Sequence, residues 1–211
     1  MAKLQSSFMN MALSLTCIAL VAAGALAGVY MLTMAPIEAA MKAKQEAAIM
    51  QVLPEVEGLQ VADAETVEGV TLYKAYVGEE WVGTAVEAST EGNINMPFGG
   101  TFRLMVGFDN VGNVVNYVVL EQAETPGLGA LMTTWFKNAD KPGQNILGKN
   151  PATTEFGVSK DGGDVDAITA STITSRAFLE VVVKAYNAIA HQDVEAVSSA
   201  TDLTTEEGGQ Q

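Results

Sequence analysis

Apolar residues run without a single charge from Phe8 to Met34, "FMNMALSLTCIALVAAGALAGVYMLTM". A bilayer crossing takes roughly 20 mainly apolar residues, so this run is long enough for one transmembrane helix. After Pro36, "IEAAMKAKQEAAIMQVL" combines strong helix formers with apolar residues near helical spacing at Ile37, Met41, Ala48 and Val52. This predicts a helix that leaves the membrane as a stalk or packs on a domain, and that Pro54 ends. Residues 55–69 form a polar, acidic connection. The pattern then shifts to β-branched and aromatic runs separated by Gly, Asn and Glu turns, predicting strands over Val70–Val77, Trp81–Ser89, Gly100–Asp109 and Asn113–Gln122. "FDNVGNV" joins the last two as a hairpin with Gly112 at its turn, and "TTEFGVS" carries a shorter strand. Helical spacing returns in "ITSRAFLEVVVKAYNAIAHQ", which places Ala177, Phe178, Val181, Val182, Ala185, Tyr186 and Ile189 on one face.

Strands followed by a packed helix give an α+β class: one N-terminal transmembrane helix, then a soluble domain with a largely antiparallel sheet and packed helices. The boundaries are a tail over 1–10, the membrane helix over 11–34, a helical stalk over 35–54, a soluble domain over 55–192 and a disordered acidic tail over 193–211. The apolar stretch exceeds the 7–15 residues or so of a cleaved signal, which favours an uncleaved anchor over cleavage after "AGALA". "LSLTC" is no lipoprotein box, and the acidic residue that pseudopilin helices carry within their apolar run is absent. Lys3 on one side and Lys42 and Lys44 on the other leave orientation undecided by charge. Gly24 and Gly28 stand at the GxxxG spacing that permits close helix packing.

Charge and composition narrow the chemistry. A net charge of -14 argues against nucleic acid, which needs clustered Lys and Arg. One cysteine, Cys17, gives no disulfide framework and no thiolate cluster for iron–sulfur or zinc. With His191 as the lone histidine, there is no His-based hydrolytic triad and no His-rich metal site. No metal centre and no catalytic side chain are expected.

Two kinds of stretch remain as candidate chemistry. In "DVDAITASTITSRA" five hydroxyls, Thr169, Ser171, Thr172, Thr174 and Ser175, crowd the start of the last helix. One such residue suffices to cap a helix. A helix N-terminus is equally an anion site, and extra hydroxyls add donors for a phosphate. The second kind comprises the two Gly-rich loops "NMPFGGTF" and "ETPGLGA", neither of which is a Walker or Rossmann fingerprint. Their glycines serve tight turns, or let the backbone approach a flat ligand with Leu128, Trp135 and Phe136 nearby to cover it.

The anchor, the strand near "GGTFRLMVGFD", the loop "ETPGLGA" and "DAITASTITS" together resemble RnfG, the FMN-binding subunit of the Rnf electron-transport complex. An FMN-bearing subunit of the sodium-pumping NADH:quinone reductase has a similar domain. The resemblance runs over roughly Met9 to Gln192. Its most specific part is the flavinylation motif: Asp, two variable residues, Ser or Thr, then usually Gly-Ala-Thr. Here it reads Asp166-Ala167-Ile168-Thr169-Ala170-Ser171-Thr172, with Ala170 and Ser171 replacing the usual Gly and Ala.

By that resemblance Thr172 carries FMN through a phosphoester bond, installed by a flavin transferase that uses FAD, with Asp166 part of the recognised motif. Thr169, Ser171, Thr174 and Ser175 would supply hydroxyls to the phosphate. The Glu124–Gly129 loop would lie on the isoalloxazine, with Glu124 tuning its charge, Thr125 a polar contact, and Leu128 and Gly129 against the ring. Glu124 read by itself is as readily a solvated carboxylate at a strand end. The implied function is an electron-carrying subunit of a membrane ferredoxin:NAD⁺ oxidoreductase coupled to ion transport, partnered by the other subunits. The flavin domain would lie on the periplasmic side of the bacterial inner membrane. The alternatives are the quinone-reductase counterpart and a colourless, membrane-anchored binding module.

Overall fold

The computed structural model describes residues 8–67, 69–91 and 101–202, with side chains to 190. Most of "NMPFGGTF" and the chain end from 203 lie outside the described residues. The chain divides into two compact units, Met1–Lys44 and Gln45–Gln211.

The first unit is helical. It holds most of α1, which spans Phe8–Val52 and contains Pro36. The sequence divides anchor from stalk at this proline, but the helix continues through it; only the N–H that Pro lacks is lost from the ladder. Large apolar side chains from Phe8 to Met34 are exposed along the helix. At 1.5 Å per residue this stretch is about 40 Å long, more than the hydrocarbon core of about 30 Å. Its hydroxyls bond within the helix: Ser14 to the Asn10 carbonyl at 2.7 Å, Thr16 to Ala12 at 2.9 Å and Thr33 to Val29 at 2.9 Å. Lipid offers polar groups no other partner. Among the described residues this is the one helix long and apolar enough to cross a membrane.

The second unit is an α+β domain on a six-stranded antiparallel sheet in the order β1-β3-β4-β5-β6, with β2 also on β3. Its strands are β1 Leu59–Val61, β2 Glu65–Val67, β3 Val70–Val77, β4 Glu80–Ser89, β5 Arg103–Asp109 and β6 Val114–Glu121. The four long strands follow the sequence pattern to within a few residues. The supposed connection over 55–69 instead contributes β1 and β2, which pair in series along one edge of β3. "TTEFGVS" forms no strand; its part in pairing is one bridge, Val158 to Val165. A short helix α2 (Met132–Trp135) follows the sheet, and α3 spans Thr172–Asp202, continuing past Asp193.

Both faces of the sheet are covered, which is why β5 is buried continuously from Leu104 to Phe108 instead of at alternate positions. On one face Val70, Leu72, Val86, Leu104, Val106, Phe108 and Tyr117 join Phe136 and the apolar side of α3, including Phe178, Val181, Val182 and Ala185. Phe178 stacks on Phe136 at 4.4 Å between centroids and meets the Tyr117 ring edge-on at 4.9 Å. On the other face Ala48, Ile49, Val52 and Leu53 cover Ala75, Ala85, Met105 and Leu120. Glycine at 107 makes that seat possible, since a Cβ there would come within 1.8 Å of the Val52 carbonyl oxygen. Gln45, at the head of this unit, donates to the Tyr73 hydroxyl at 3.0 Å and to Glu87, whose other oxygen holds Arg103 at 2.8 Å.

Candidate functional site

The hydroxyl-rich stretch forms an irregular loop that ends at the first turn of α3, and almost every part of it is tied down. Asp166 donates its N–H to the Gly143 carbonyl at 2.7 Å and accepts from Ser159 Oγ at 2.7 Å. Its carbonyl receives the Trp135 indole N–H at 2.9 Å. Ile168 is fully buried, and Ser171 N–H closes a turn on the Ile168 carbonyl at 3.0 Å. Ala170, third in that turn, has φ +61°.

Ser175 is fully buried, and its hydroxyl accepts from Ile168 N–H at 2.9 Å while donating to the Ser171 carbonyl at 2.9 Å. The sequence assigns Ser175 to a phosphate; in the fold it braces the turn from inside. Outside the turn, Arg176 grips Asp161 through two bonds of 2.6 and 2.8 Å, which hold the Asp161 carboxyl below its ordinary range.

Thr172 is the first residue of α3. It is half-buried, Thr169 is exposed and Ser171 is half-buried. Among the described residues none of these three hydroxyls has a side-chain hydrogen bond, and the N–H groups of Thr172, Ile173 and Thr174 meet no acceptor. The helix therefore begins uncapped. Its free donors and the positive end of its dipole are what an anion needs, with no lysine required.

Thr174 is turned elsewhere. Its Oγ1 donates to Glu124 Oε2 at 3.0 Å, linking the start of α3 to "ETPGLGA" fifty residues away. Glu124 Oε1 is buried and, among the described residues, is the buried side-chain polar atom with no partner. In the same loop, Leu128 N–H bonds the Thr125 carbonyl at 3.1 Å, closing a turn with Gly127 at φ +78°. Gly127, then, is the left-handed position. Gly129 is buried for a different reason: a Cβ there would lie 2.1 Å from Glu124 Oε2.

Thr125 and Leu128 are exposed, as is Leu131 beyond them. Trp135 is half-buried, but Phe136 is a fully buried core residue stacked on Phe178. Tyr117 fixes this segment by donating its hydroxyl to the Met132 carbonyl at 2.6 Å, and burial raises its pKa. Lys137 donates to the Tyr117 carbonyl and lies 4.3 Å from the Tyr117 ring centroid; burial lowers its pKa.

The hydroxyl-rich stretch and the "ETPGLGA" loop thus meet through Thr174 with Glu124, and Trp135 just beyond the loop bonds Asp166. Sequence reasoning missed Trp135 and Ser159 as braces. The available signal was that an indole N–H, a donor only, usually finds an acceptor where the ring packs. Among the described residues no group of three or more His, Cys, Asp or Glu is placed to hold a metal ion.

Comparison with known proteins decides the family. The profile described as an FMN-binding domain matches residues 98–187, and the RnfG N-terminal region matches residues 1–52. The G subunit of the ion-translocating oxidoreductase complex of Methanosarcina acetivorans is 31% identical over 186 residues, 83% of this chain and 91% of that protein. The chain belongs to the RnfG family. Its Escherichia coli K12 relative, of the same name, is 33% identical over 172 residues, 77% of this chain and 81% of that protein. The Yersinia pestis relative is 35% identical over a shorter span, 54% of this chain and 53% of that protein. Both loops of the site fall inside the FMN-binding domain, and α1 ends where the RnfG N-terminal match ends. One apolar helix at the front fits a membrane-anchored RnfG.

Proposed function

We propose that this RnfG protein carries electrons through an FMN bound covalently to Thr172, within a membrane ferredoxin:NAD⁺ oxidoreductase coupled to ion transport. The observation that supports it most directly is the uncapped start of α3. Thr172 stands at its first position, the N–H groups beside it are open, and the Glu124 loop is tied to the same turn by Thr174. The residues present fit the cofactor. The open donors suit a phosphodiester, with Thr169 and Ser171 hydroxyls beside them. The unpaired Glu124 Oε1 offers an acceptor to a cofactor N–H or O–H. When bound, FMN supplies the electron-carrying group, and the protein positions it and sets its potential.

Thr125, Leu128 and Gly129 would lie along the ring, and Trp135 would hold Asp166 in the recognised motif. A tether also keeps the flavin at high effective concentration in a compartment where free flavin is lost. The partners are the other subunits of the complex and a Mg²⁺-dependent transferase that uses FAD. The flavin domain would lie on the extracytoplasmic side of the membrane, with α1 as its anchor.

Coexpression with the transferase should add the mass of one FMN less water. Thr172→Ala should remove in-gel flavin fluorescence while shifting stability by about 1 kcal/mol or less, since its hydroxyl caps nothing. Fluorescence persisting in that variant would move the attachment elsewhere.

A further inference from the structure

Among the described residues, Ala170 is the non-glycine residue with a positive φ. It lies two residues before Thr172. The turn Ile168–Ser171 is closed by its Ser171 N–H to Ile168 O bond, and Thr169 keeps a negative φ, so the turn is of type II. The third residue of a type II turn is ordinarily Gly or Asn, because a Cβ crowds the backbone there. Such a conformation persists only where the surroundings over-determine it. Here Ser175 does so. Its one buried hydroxyl bonds the Ile168 N–H and the Ser171 carbonyl, the two ends of the turn. The far side is fixed too, since Asp166 is bound by Gly143, Ser159 and Trp135.

Resting on the assignment of Thr172 as the attachment residue, we infer that the left-handed backbone at Ala170, clamped by Ser175, is what presents Thr172 for flavin transfer. Residue 170 is recognised through its backbone conformation and not through the size of its side chain. In the transfer, a bond forms between Thr172 Oγ and the FMN-side phosphorus of FAD. The bridging P–O bond of the pyrophosphate breaks, AMP leaves, the hydroxyl proton passes to solvent, and nothing is oxidised or reduced. The nucleophile must reach that phosphorus in line with the leaving group. With both ends of the turn clamped, a right-handed φ at residue 170 would displace Ser171 and Thr172 together. Ser175 and Ala170 are therefore positioning residues.

The test uses the full chain in detergent with purified transferase, FAD and Mg²⁺, following FMN incorporation by intact mass. The variants are Ala170→Gly, Ala170→Asn and Ala170→Val, each melted by circular dichroism and assayed below its own transition. Asn and Val are both larger than Ala, but Asn enters the left-handed region readily and Val is an outlier there. Gly and Asn should be modified at least as fast as wild type, and Val slower by about tenfold. Asn and Val equally slow would mean that size is read, and Val at the wild-type rate would mean that the conformation is irrelevant. Either result overturns the inference. Should the Val variant unfold, Asn decides alone: modification at or above the wild-type rate supports the inference, and a several-fold loss overturns it. FMN gained by Thr172→Ala would instead sink the attachment residue itself, whatever the order at 170.

Discussion

The turns Thr125–Leu128 and Ile168–Ser171 are closed by equivalent hydrogen bonds of 3.1 and 3.0 Å, and each has a positive φ at its third residue, +78° at Gly127 and +61° at Ala170. In the first, the chain's own chemistry dictates the shape: Pro126 presets φ at the second position and Gly127 takes the third at no steric cost. In the second, neither Thr169 nor Ala170 favours the turn. A left-handed Ala costs about 1–2 kcal/mol. Two hydrogen bonds from Ser175, each contributing about 1 kcal/mol net, offset it. One turn is made by its residues and the other by its surroundings. The externally held turn is the one beside Thr172, where a fixed geometry would serve the proposed attachment. The self-made turn belongs to a loop joined to α3 by the Thr174–Glu124 bond and ending in exposed Leu128 and Leu131.

Removing the Ser175 brace should have the largest effect. Ser175→Ala leaves the buried Ile168 N–H unpaired and should cost about 1–3 kcal/mol, a fall of several degrees in Tm for a domain of this size. No change in Tm would mean that the turn holds itself. Next comes Gly127→Ala, where a Cβ would meet nothing within 4 Å, so any loss is a backbone effect. About 1 kcal/mol of destabilisation in urea is expected, and a neutral result would show that the positive φ there is dispensable. The opposite exchange, Ala170→Gly, relieves about 1–2 kcal/mol of strain but gives back about 0.4–1 kcal/mol through unfolded-state entropy. A net gain of about 0–1.6 kcal/mol should appear in the same titration.

The smallest effect concerns the exposed Asp161–Arg176 pair. Its hydrogen bonds lower the Asp161 pKa in the folded state, so its contribution is present above the unfolded pKa and fades as pH falls through the folded one. Asp161→Asn should melt slightly earlier than wild type at neutral pH and together with it in acid. A gap that persists in acid would show that something other than ionisation is at work.

Much of this was legible before the structure. The long strands and the buried face of α3 follow apolar periodicity, because burial imposes that period directly. Strands β1 and β2 were not, since three-residue edge strands carrying exposed Gln60 and Glu65 have the composition of a loop. The helical stalk after Pro36 and its end before Pro54 were readable too, because strong helix formers continue past the first proline. At the site, the crowding of hydroxyls was plain, but their division of labour was not. Ser175 and Thr172 are alike in sequence, and only packing turns one inward while leaving the other half-buried with no side-chain bond. The left-handed backbone at 170 was equally hidden, because alanine gives no sign of it.

The seat of Val52 on Gly107 sets the cutting point for a freely soluble version of the domain. A chain beginning at Pro36 sheds the apolar run yet retains Ala48, Ile49, Val52 and Leu53 as the lid of the second core. One beginning at Glu55 would bare Ala75, Ala85, Met105 and Leu120 together, an apolar trough flanked by sheet. Acidic charge elsewhere on the molecule would not keep such troughs from pairing. The shorter chain should elute from a sizing column as self-associated material, and the longer one as a monomer.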